Sequence, residues 1–192
     1  NKVHSDSYVQ ESTPGGERFY GVYNELKNKV QEGVIGVNYI GHGGEVGWAT
    51  ERILDISMIN GWSNSYRLPF FMTATCEFSR FDDPDRTSAG ELLILSKDGG
   101  AIAMFTTWRL VFAGPNLTMN KKFYDTVFKR DADGKGQTFG SIYMGTKNSY
   151  ASVSASENGR KFGFLGDPAL QLALPEYNIV TDKINDSLIG SQ

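Results

Sequence analysis

The only cysteine of this sequence and one of its two histidines are the residues best suited to covalent chemistry. Cys76 has no second cysteine with which to form a disulfide, and a lone thiol cannot build the usual Cys/His zinc site. A free thiol is mostly protonated at neutral pH, but a nearby imidazole raises the fraction of reactive thiolate and can later protonate a leaving amine. Beside His42, Cys76 could therefore attack an acyl bond; alone, it is a small buried hydrophobe.

Both residues follow segments that are predicted to be buried strands. Residues 34–40, 69–75 and 101–107 are short apolar runs rich in β-branched and aromatic side chains. His42 lies two residues after the first run, and Cys76 directly follows the second. Active sites of open α/β sheets lie at the carboxyl ends of parallel strands, so we expect both side chains at the same edge of one sheet.

The rest of the pattern predicts helices between these strands, which favours an α/β fold: a mostly parallel sheet flanked by helices on both faces, in three layers. Helices are predicted at 17–32, at 50–62, after a Ser88 cap, after an Asn116 cap and at 137–154. Loops are predicted at 12–16, 41–44, 131–136 and 164–168, and a last strand at 177–180.

The loops that carry His42 and Cys76 also contain groups that could complete an active site. An oxyanion needs hydrogen-bond donors, and the backbone N–H groups of Gly43 and Cys76 are candidates. Glu45 and Glu77 each lie close in sequence to one of the two candidates and could orient His42 or contact a substrate. An ordinary polar role in a loop is the alternative for both glutamates.

Trp108 and Arg109 follow the third predicted strand, at the same edge of the sheet. They are candidates for the pocket that holds the residue before a scissile bond. Simple packing is the alternative for Trp108, and an ion pair with an acidic loop residue is the alternative for Arg109.

No cofactor is required by this pattern. Asp82, Asp83 and Asp85 leave open a structural calcium ion, although a solvated acidic turn near Arg80 and Arg86 is favoured. The glycines at 41–44 lack the spacing of a dinucleotide loop, and they argue against a zinc-binding helix at His42.

Composition excludes several classes of partner. The 192 residues carry a formal net charge of −3, which does not suggest nucleic acid or an anionic membrane as a partner. No apolar run reaches the roughly 18 residues of a membrane span. Because the sequence begins at Asn1 and ends in a polar tail, we expect it to be a piece of a longer protein.

The segments around the two candidates resemble the gingipain family of cysteine peptidases, in the caspase-like clan. The resemblance rests on NYIGHGGE at 38–45, TATCEFSRFDDP at 73–84 and FLGDP at 164–168, and it extends over roughly residues 8–175. Within the family, the sequence is most similar to the signal peptidases of the type IX secretion system. One departure is Thr75, where many clan members have Ala or Asp before the cysteine.

This resemblance implies a three-layer gingipain-like fold, with Cys76 as nucleophile, His42 as acid/base and Gly43 with Cys76 as oxyanion hole. It implies that the acid that orients the histidine lies upstream of Asn1. It also implies a polypeptide substrate, the carboxy-terminal sorting domain of secreted cargo, and a lipopolysaccharide amine that accepts the acyl group. Other proteins of the secretion complex would be partners, and the location would be the outer surface of a bacterial outer membrane.

We expect a connecting segment at 1–16, a catalytic domain at 17–175 and a linker at 176–192. Three alternatives remain open at this point. An ordinary endopeptidase would resolve the acyl-enzyme with water, a scaffold would only bind other secretion proteins, and a small-ligand module would bind a nucleotide or flavin on the same kind of sheet.

Overall fold

The computed structural model describes residues 2–150, 157–174, 181, 183–184 and 187–188. After a short 3-10 helix at Ser5–Ser7, the helices in chain order are α1 (Tyr20–Glu32), α2 (Ile56–Asn60), α3 (Ala89–Leu95), α4 (Ala113–Val127), α5 (Phe139–Ser149) and α6 (Glu157–Arg160). The strands are β1 (Glu11–Thr13), β2 (Gly16–Arg18), β3 (Gly36–Ile40), β4 (Gly43–Gly44), β5 (Gly47–Trp48), β6 (Leu54–Asp55), β7 (Phe70–Ala74), β8 (Ala103–Thr107), β9 (Phe162–Gly166), β10 (Lys183–Ile184) and β11 (Ser187–Leu188).

A four-stranded sheet forms the centre of the fold, in the order β3-β7-β8-β9. Strands β3, β7 and β8 run parallel, and β9 pairs with β8 in the antiparallel direction. Every residue of β7 and β8 is buried, as expected for strands covered on both faces. The prediction of a mostly parallel sheet is confirmed.

Helices cover both faces of this sheet. Because successive strand residues point to opposite sides, neighbouring residues of one strand belong to two different cores. Phe71 and Met104 belong to one core, with residues of α1, α2 and α3. Phe70, Met72 and Phe105 belong to a second core, with residues of α4 and α5. The molecule therefore has the predicted three layers, and the carboxyl ends of β3, β7 and β8 share one edge.

The predicted helix at 50–62 is wrong over its first half. Ala49 and Arg52 have φ angles of 59° and 52°, in the left-handed region that breaks a right-handed helix. The chain turns there and then forms β6, so β4, β5 and β6 make a small antiparallel sheet. Helix α2 begins only at Ile56, where the Asp55 carboxylate accepts a hydrogen bond from the Met58 N–H at 2.9 Å.

Four other local predictions are also wrong, at least in part. Asn116 does not cap its helix, since α4 begins three residues earlier, after Phe112, with Pro115 tolerated in the first turn. The predicted loop at 164–168 is instead the end of β9, and it turns only after Gly166. The loop predicted at 12–16 is mostly the β1–β2 hairpin, and part of the loop at 41–44 is β4.

The capping of α3 by Ser88 is confirmed, with the reciprocal hydrogen bonds of a capping box to Glu91. The predicted strand at 177–180 and the end of the predicted helix at 137–154 lie outside the described residues. No helix in the described part of the chain is both long enough and apolar enough to cross a membrane.

Candidate active site

His42 and Cys76 lie at the same edge of the central sheet. In the parallel register of β3 and β7, Ile40 is opposite Ala74, and each candidate lies two residues beyond its strand's last pair. The pairing continues past the strand ends, since the Gly41 N–H donates to the Ala74 carbonyl at 3.5 Å. His42 is exposed and Cys76 is half-buried, so both side chains are accessible from outside the sheet.

The Cys76 loop is held by the segment that follows β8 and by the start of α4. The thiol lies 3.7 Å from the carbonyl oxygen of Val111, and the Asn116 amide donates to the Ala74 carbonyl at 3.3 Å. The Thr107 hydroxyl donates to the Thr75 carbonyl, directly before the cysteine. Within the described residues the Cys76 N–H donates to no other group, so the fold leaves it available for an oxyanion.

The backbone of His42 is fixed from two sides. Its carbonyl accepts a hydrogen bond from the Tyr39 hydroxyl at 2.7 Å and one from the Ala49 N–H at 2.8 Å. The Tyr39 ring stacks on Trp48 with 4.3 Å between ring centroids, and burial raises the pKa of Tyr39 to about 12. The phenol therefore remains protonated and continues to donate at physiological pH.

The His42 imidazole itself has no hydrogen bond or ion pair within the described part of the chain. Gly43 follows it in a position that tolerates no side chain. A Cβ there would lie 2.5 Å from the Thr75 Oγ1 and 3.0 Å from the Gly47 carbonyl oxygen. The loop after His42 can therefore lie against the residue before Cys76 only because residue 43 is glycine.

Glu45 connects the His42 loop to the Cys76 loop. Its side chain is 11% exposed, and it pairs with Arg80 at 3.0 Å and with Arg86 at 3.6 Å. Its carbonyl accepts the N–H of Ala89, the first residue of α3, at 2.6 Å. The carboxylate is thus engaged by arginines and not by His42.

Glu77 follows Cys76 with a φ angle of 49°. Its N–H donates to the Arg109 carbonyl at 3.3 Å, and its carboxylate lies 4.0 Å from the Arg80 guanidinium. The residue thereby fixes the direction in which the chain leaves the cysteine.

Trp108 and Arg109 lie at the edge expected from the sequence, and both have structural partners. Trp108 packs against Gly163, where a Cβ would lie 1.4 Å from the indole ring, and edge-on against Phe81. Arg109 donates two hydrogen bonds to Asp82, at 2.9 Å and 2.5 Å, and this pairing lowers the pKa of the Asp82 carboxyl. The ion pair that was the alternative for Arg109 is therefore present.

A large open cleft lies beside His42. Its volume is about 720 Å³, and its walls come from the loop after β3, from β5 and β6 and from the start of α2. His42, Gly43 and Gly44 form one side of it, whereas Cys76 does not line it. The cleft is therefore adjacent to His42 and not to Cys76.

A calcium ion has no assembled site in the described residues. No group of three or more His, Cys, Asp or Glu side chains there is arranged to hold a metal ion. Of the acidic residues in the turn after Cys76, Asp82 is bound to Arg109, and Asp83 accepts the N–H of Asp85 at 2.9 Å. The expectation that no cofactor is required stays a prediction.

Sequence reasoning missed the residues that support the two candidates. The His42 carbonyl is contacted by Tyr39, the Cys76 thiol by the Val111 carbonyl, and the Glu45 carboxylate by Arg80. Val111 acts through its backbone, so no residue type could have signalled it. The position of Arg80 gave a weak indication of its role. It is a cation four residues after Cys76, and it can pair with Glu45, the acid three residues after His42.

The solved structures with a similar fold include a cysteine proteinase. The Arg-specific cysteine proteinase gingipain R matches with a TM-score of 0.67 and 21% identity, over 78% of this chain and 36% of that chain. The complex of the pro- and mature domains of RgpB from Porphyromonas gingivalis matches with a TM-score of 0.69 and 19% identity, over 78% and 37%. A structure described only as a protease matches with a TM-score of 0.60 and 20% identity, over 88% and 42%.

At these identities the matches show a gingipain-like fold, and the chain spans little more than a third of the gingipain chains that it matches. No curated protein matches the sequence significantly. The sequence does match the model of peptidase family C25, from residue 1 to residue 173. Since that match covers most of the chain, the chain belongs to peptidase family C25.

Proposed function

We propose that this chain carries the catalytic dyad of a cysteine peptidase, with Cys76 as nucleophile and His42 as acid/base. The observation that supports this most directly is the β3–β7 register, in which both residues lie two positions beyond the paired Ile40 and Ala74. Membership of peptidase family C25 supports the same reaction class. The free Cys76 N–H and the obligatory glycine at 43 support an oxyanion hole between the two loops.

The proposed reaction begins when His42 holds the proton of the Cys76 thiol and the resulting thiolate attacks the carbonyl carbon of the scissile peptide bond. The oxyanion that forms is stabilised by the N–H groups of Gly43 and Cys76. The carbon–nitrogen bond then breaks while His42 gives a proton to the leaving amine, and an acyl-thioester remains on Cys76. A second nucleophile attacks the thioester, its proton passes to His42 and the Cys76 sulfur leaves as the thiolate.

The pocket for the residue before the scissile bond would lie along Trp108 and Arg109, at the end of β8. Trp108 is half-buried against Gly163 and leaves part of its ring accessible. Arg109 is committed to Asp82, so it would shape the pocket through that pair. Glu45 and Glu77 would hold the two catalytic loops in place, since both carboxylates face Arg80.

We further propose that the second nucleophile is an amine, so that the enzyme is a transpeptidase. The support is the resemblance of residues 38–45 and 73–84 to the PorU-type signal peptidases of type IX secretion. The substrate would be the carboxy-terminal sorting domain of secreted cargo, and the acceptor would be an amine of an anionic lipopolysaccharide. The enzyme would then act at the bacterial cell surface, beside other proteins of the secretion complex.

Substitution of the dyad tests the peptidase proposal. In the intact natural protein, Cys76→Ala and His42→Ala should each abolish cleavage of cargo while the circular dichroism spectrum remains that of the wild type. The matched control is His4→Ala, because His4 is the other histidine of the chain and is exposed. Cleavage by the Cys76→Ala protein at the wild-type rate would refute the assignment.

Mass spectrometry of the product separates transpeptidase from endopeptidase. Cargo is incubated with the enzyme and a primary amine such as glycinamide. A product that carries the amine on its new carboxyl terminus is the result that we expect. If the product carries only a free carboxylate at every amine concentration, the transpeptidase proposal is refuted and the protein is an ordinary endopeptidase.

A further inference from the structure

The cleft beside His42 is lined by the loop that carries His42 and not by Cys76. Its volume of about 720 Å³ falls within the range of clefts that bind ligands in proteins. Part of its wall is the backbone of Gly43, Gly44 and Gly47, which have no side chains to keep a bound polypeptide at a distance.

Backbone strain is concentrated around this cleft and Cys76. In the described part of the chain, the residues other than glycine with positive φ are Ala49, Arg52 and Glu77, at 59°, 52° and 49°. Ala49 and Arg52 line the cleft, and Glu77 directly follows the proposed nucleophile. Strain of this kind clusters at sites of function. Residues with strained backbone therefore occur both in the wall of the cleft and directly after Cys76.

We infer that this cleft binds the polypeptide segment that follows the scissile bond, and that the acceptor amine enters by the same cleft. The inference rests on the proposed dyad. The group that protonates the leaving amine must lie next to it, so the amine and the residues attached to it lie on the side of His42. Of the two proposed catalytic residues, His42 lines the cleft and Cys76 does not.

The position of the acceptor amine follows because aminolysis of the acyl-enzyme is the reverse of its formation. Acylation breaks the carbon–nitrogen bond and moves a proton from His42 to the departing nitrogen. Aminolysis forms a carbon–nitrogen bond at the thioester carbon and moves a proton from the incoming nitrogen to His42, and the sulfur leaves as the thiolate. Because the two steps are each other's reverse, both nitrogen atoms occupy the same position.

Gly44 offers a way to fill the cleft without disturbing the fold. A Cβ at this position meets no heavy atom within 4 Å, and the φ angle of Gly44 is not in the left-handed region. The substitution Gly44→Trp therefore adds a large side chain at the wall of the cleft. Its matched control is Ala132→Trp, in the exposed turn between α4 and α5.

The experiment compares two substrates with different leaving groups in the intact natural protein. A library of peptides from digested bacterial proteins is cleaved first, and mass spectrometry identifies one cleaved sequence. That sequence is then made with four residues after the scissile bond, and also with aminomethylcoumarin in their place. For Gly44→Trp we expect kcat/KM to fall about ten-fold further on the extended peptide than on the coumarin substrate, with no such difference for Ala132→Trp.

Equal losses on both substrates, or no loss on either, would overturn the inference. Failure of the underlying dyad would look different, since the wild-type protein would then cleave no peptide of the library. A second measurement uses the acyl-enzyme formed from the coumarin substrate and tetraglycine amide as acceptor. Gly44→Trp should reduce the ratio of aminolysis to hydrolysis, and an unchanged ratio would show that the acceptor does not enter by this cleft.

Discussion

Loss of the Glu45 charge should destabilise the fold more than loss of an exposed charge. The substitution Glu45→Gln keeps the size of the side chain and leaves the hydrogen bond from the Ala89 N–H to the backbone carbonyl intact. It removes the negative charge that lies 3.0 Å from Arg80 and 3.6 Å from Arg86. Arg86 then loses the carboxylate with which it pairs. Arg80 keeps the more distant carboxylates of Glu77 and Asp82, each at 4.0 Å.

The exposure of the two partners sets the size of the effect. A hydrogen bond to a charged group contributes about 1.5–3 kcal/mol when it is protected from water, and an exposed pair contributes about 0–1 kcal/mol. The Glu45 side chain is 11% exposed and that of Arg80 is 39% exposed, which places this pair between the two cases. We expect a loss of about 1–1.5 kcal/mol in the free energy of unfolding, or about 2–6 °C in Tm for a chain of this size.

Thermal unfolding followed by circular dichroism measures this loss, with Glu25→Gln as the matched control. Glu25 pairs with Lys29 at 3.0 Å on the exposed surface of α1, so its substitution should cost about 0.5 kcal/mol or less. Adding Arg80→Gln to Glu45→Gln should cost less than the two single losses together, because each single substitution already breaks the same contact between Glu45 and Arg80. If Glu45→Gln lowers Tm no more than Glu25→Gln does, the pair does not hold the two loops together.

Three further outcomes follow from buried contacts near the site. Thr75→Val should raise Tm by about 2–4 °C, because within the described residues the buried Thr75 hydroxyl has no hydrogen-bond partner, and an unchanged or lower Tm would contradict this. Gly163→Ala should cost about 1–3 kcal/mol and change the Trp108 fluorescence, since the new Cβ would overlap the indole ring, whereas an unaltered spectrum would count against this contact. The pKa of Tyr39 is about 12 in the native protein and 10.0 in the unfolded chain, so the unfolded chain loses this proton first as pH rises. Urea titrations should therefore show the free energy of unfolding falling by about 2 kcal/mol between pH 10 and pH 12. The fall should be smaller in Tyr39→Phe.

The three parallel strands of the central sheet could be predicted because they are apolar runs, two of which, β7 and β8, are buried on both faces. The runs at 34–40, 69–75 and 101–107 are continuous apolar segments, and such segments are typical of parallel strands when helices lie between them in the chain. The small sheet β4-β5-β6 could not be predicted. Its strands are two residues long, and the turn between β5 and β6 depends on the left-handed conformation of Ala49 and Arg52, which no local propensity favours.

The positions of the two candidate residues could be predicted, but the contacts that hold their loops in place could not. His42 and Cys76 each follow a recognisable strand, so their common edge follows from the rules of parallel sheets. Glu45 and Arg80 are 35 residues apart, and neither residue type indicates its partner across that distance. The cleft was also beyond prediction, because it is bounded by the small sheet that the sequence did not reveal.

The reactivity of the Cys76 thiol tests the central claim most directly. The alkylation rate with iodoacetamide is measured in the intact natural protein at about pH 6, where a free thiol is less than about 1% ionised. We expect Cys76 to react at least about ten times faster than free cysteine, and the His42→Ala protein to lose that advantage. A wild-type rate equal to that of free cysteine, or a rate that does not change with His42→Ala, would contradict the pairing of these two residues.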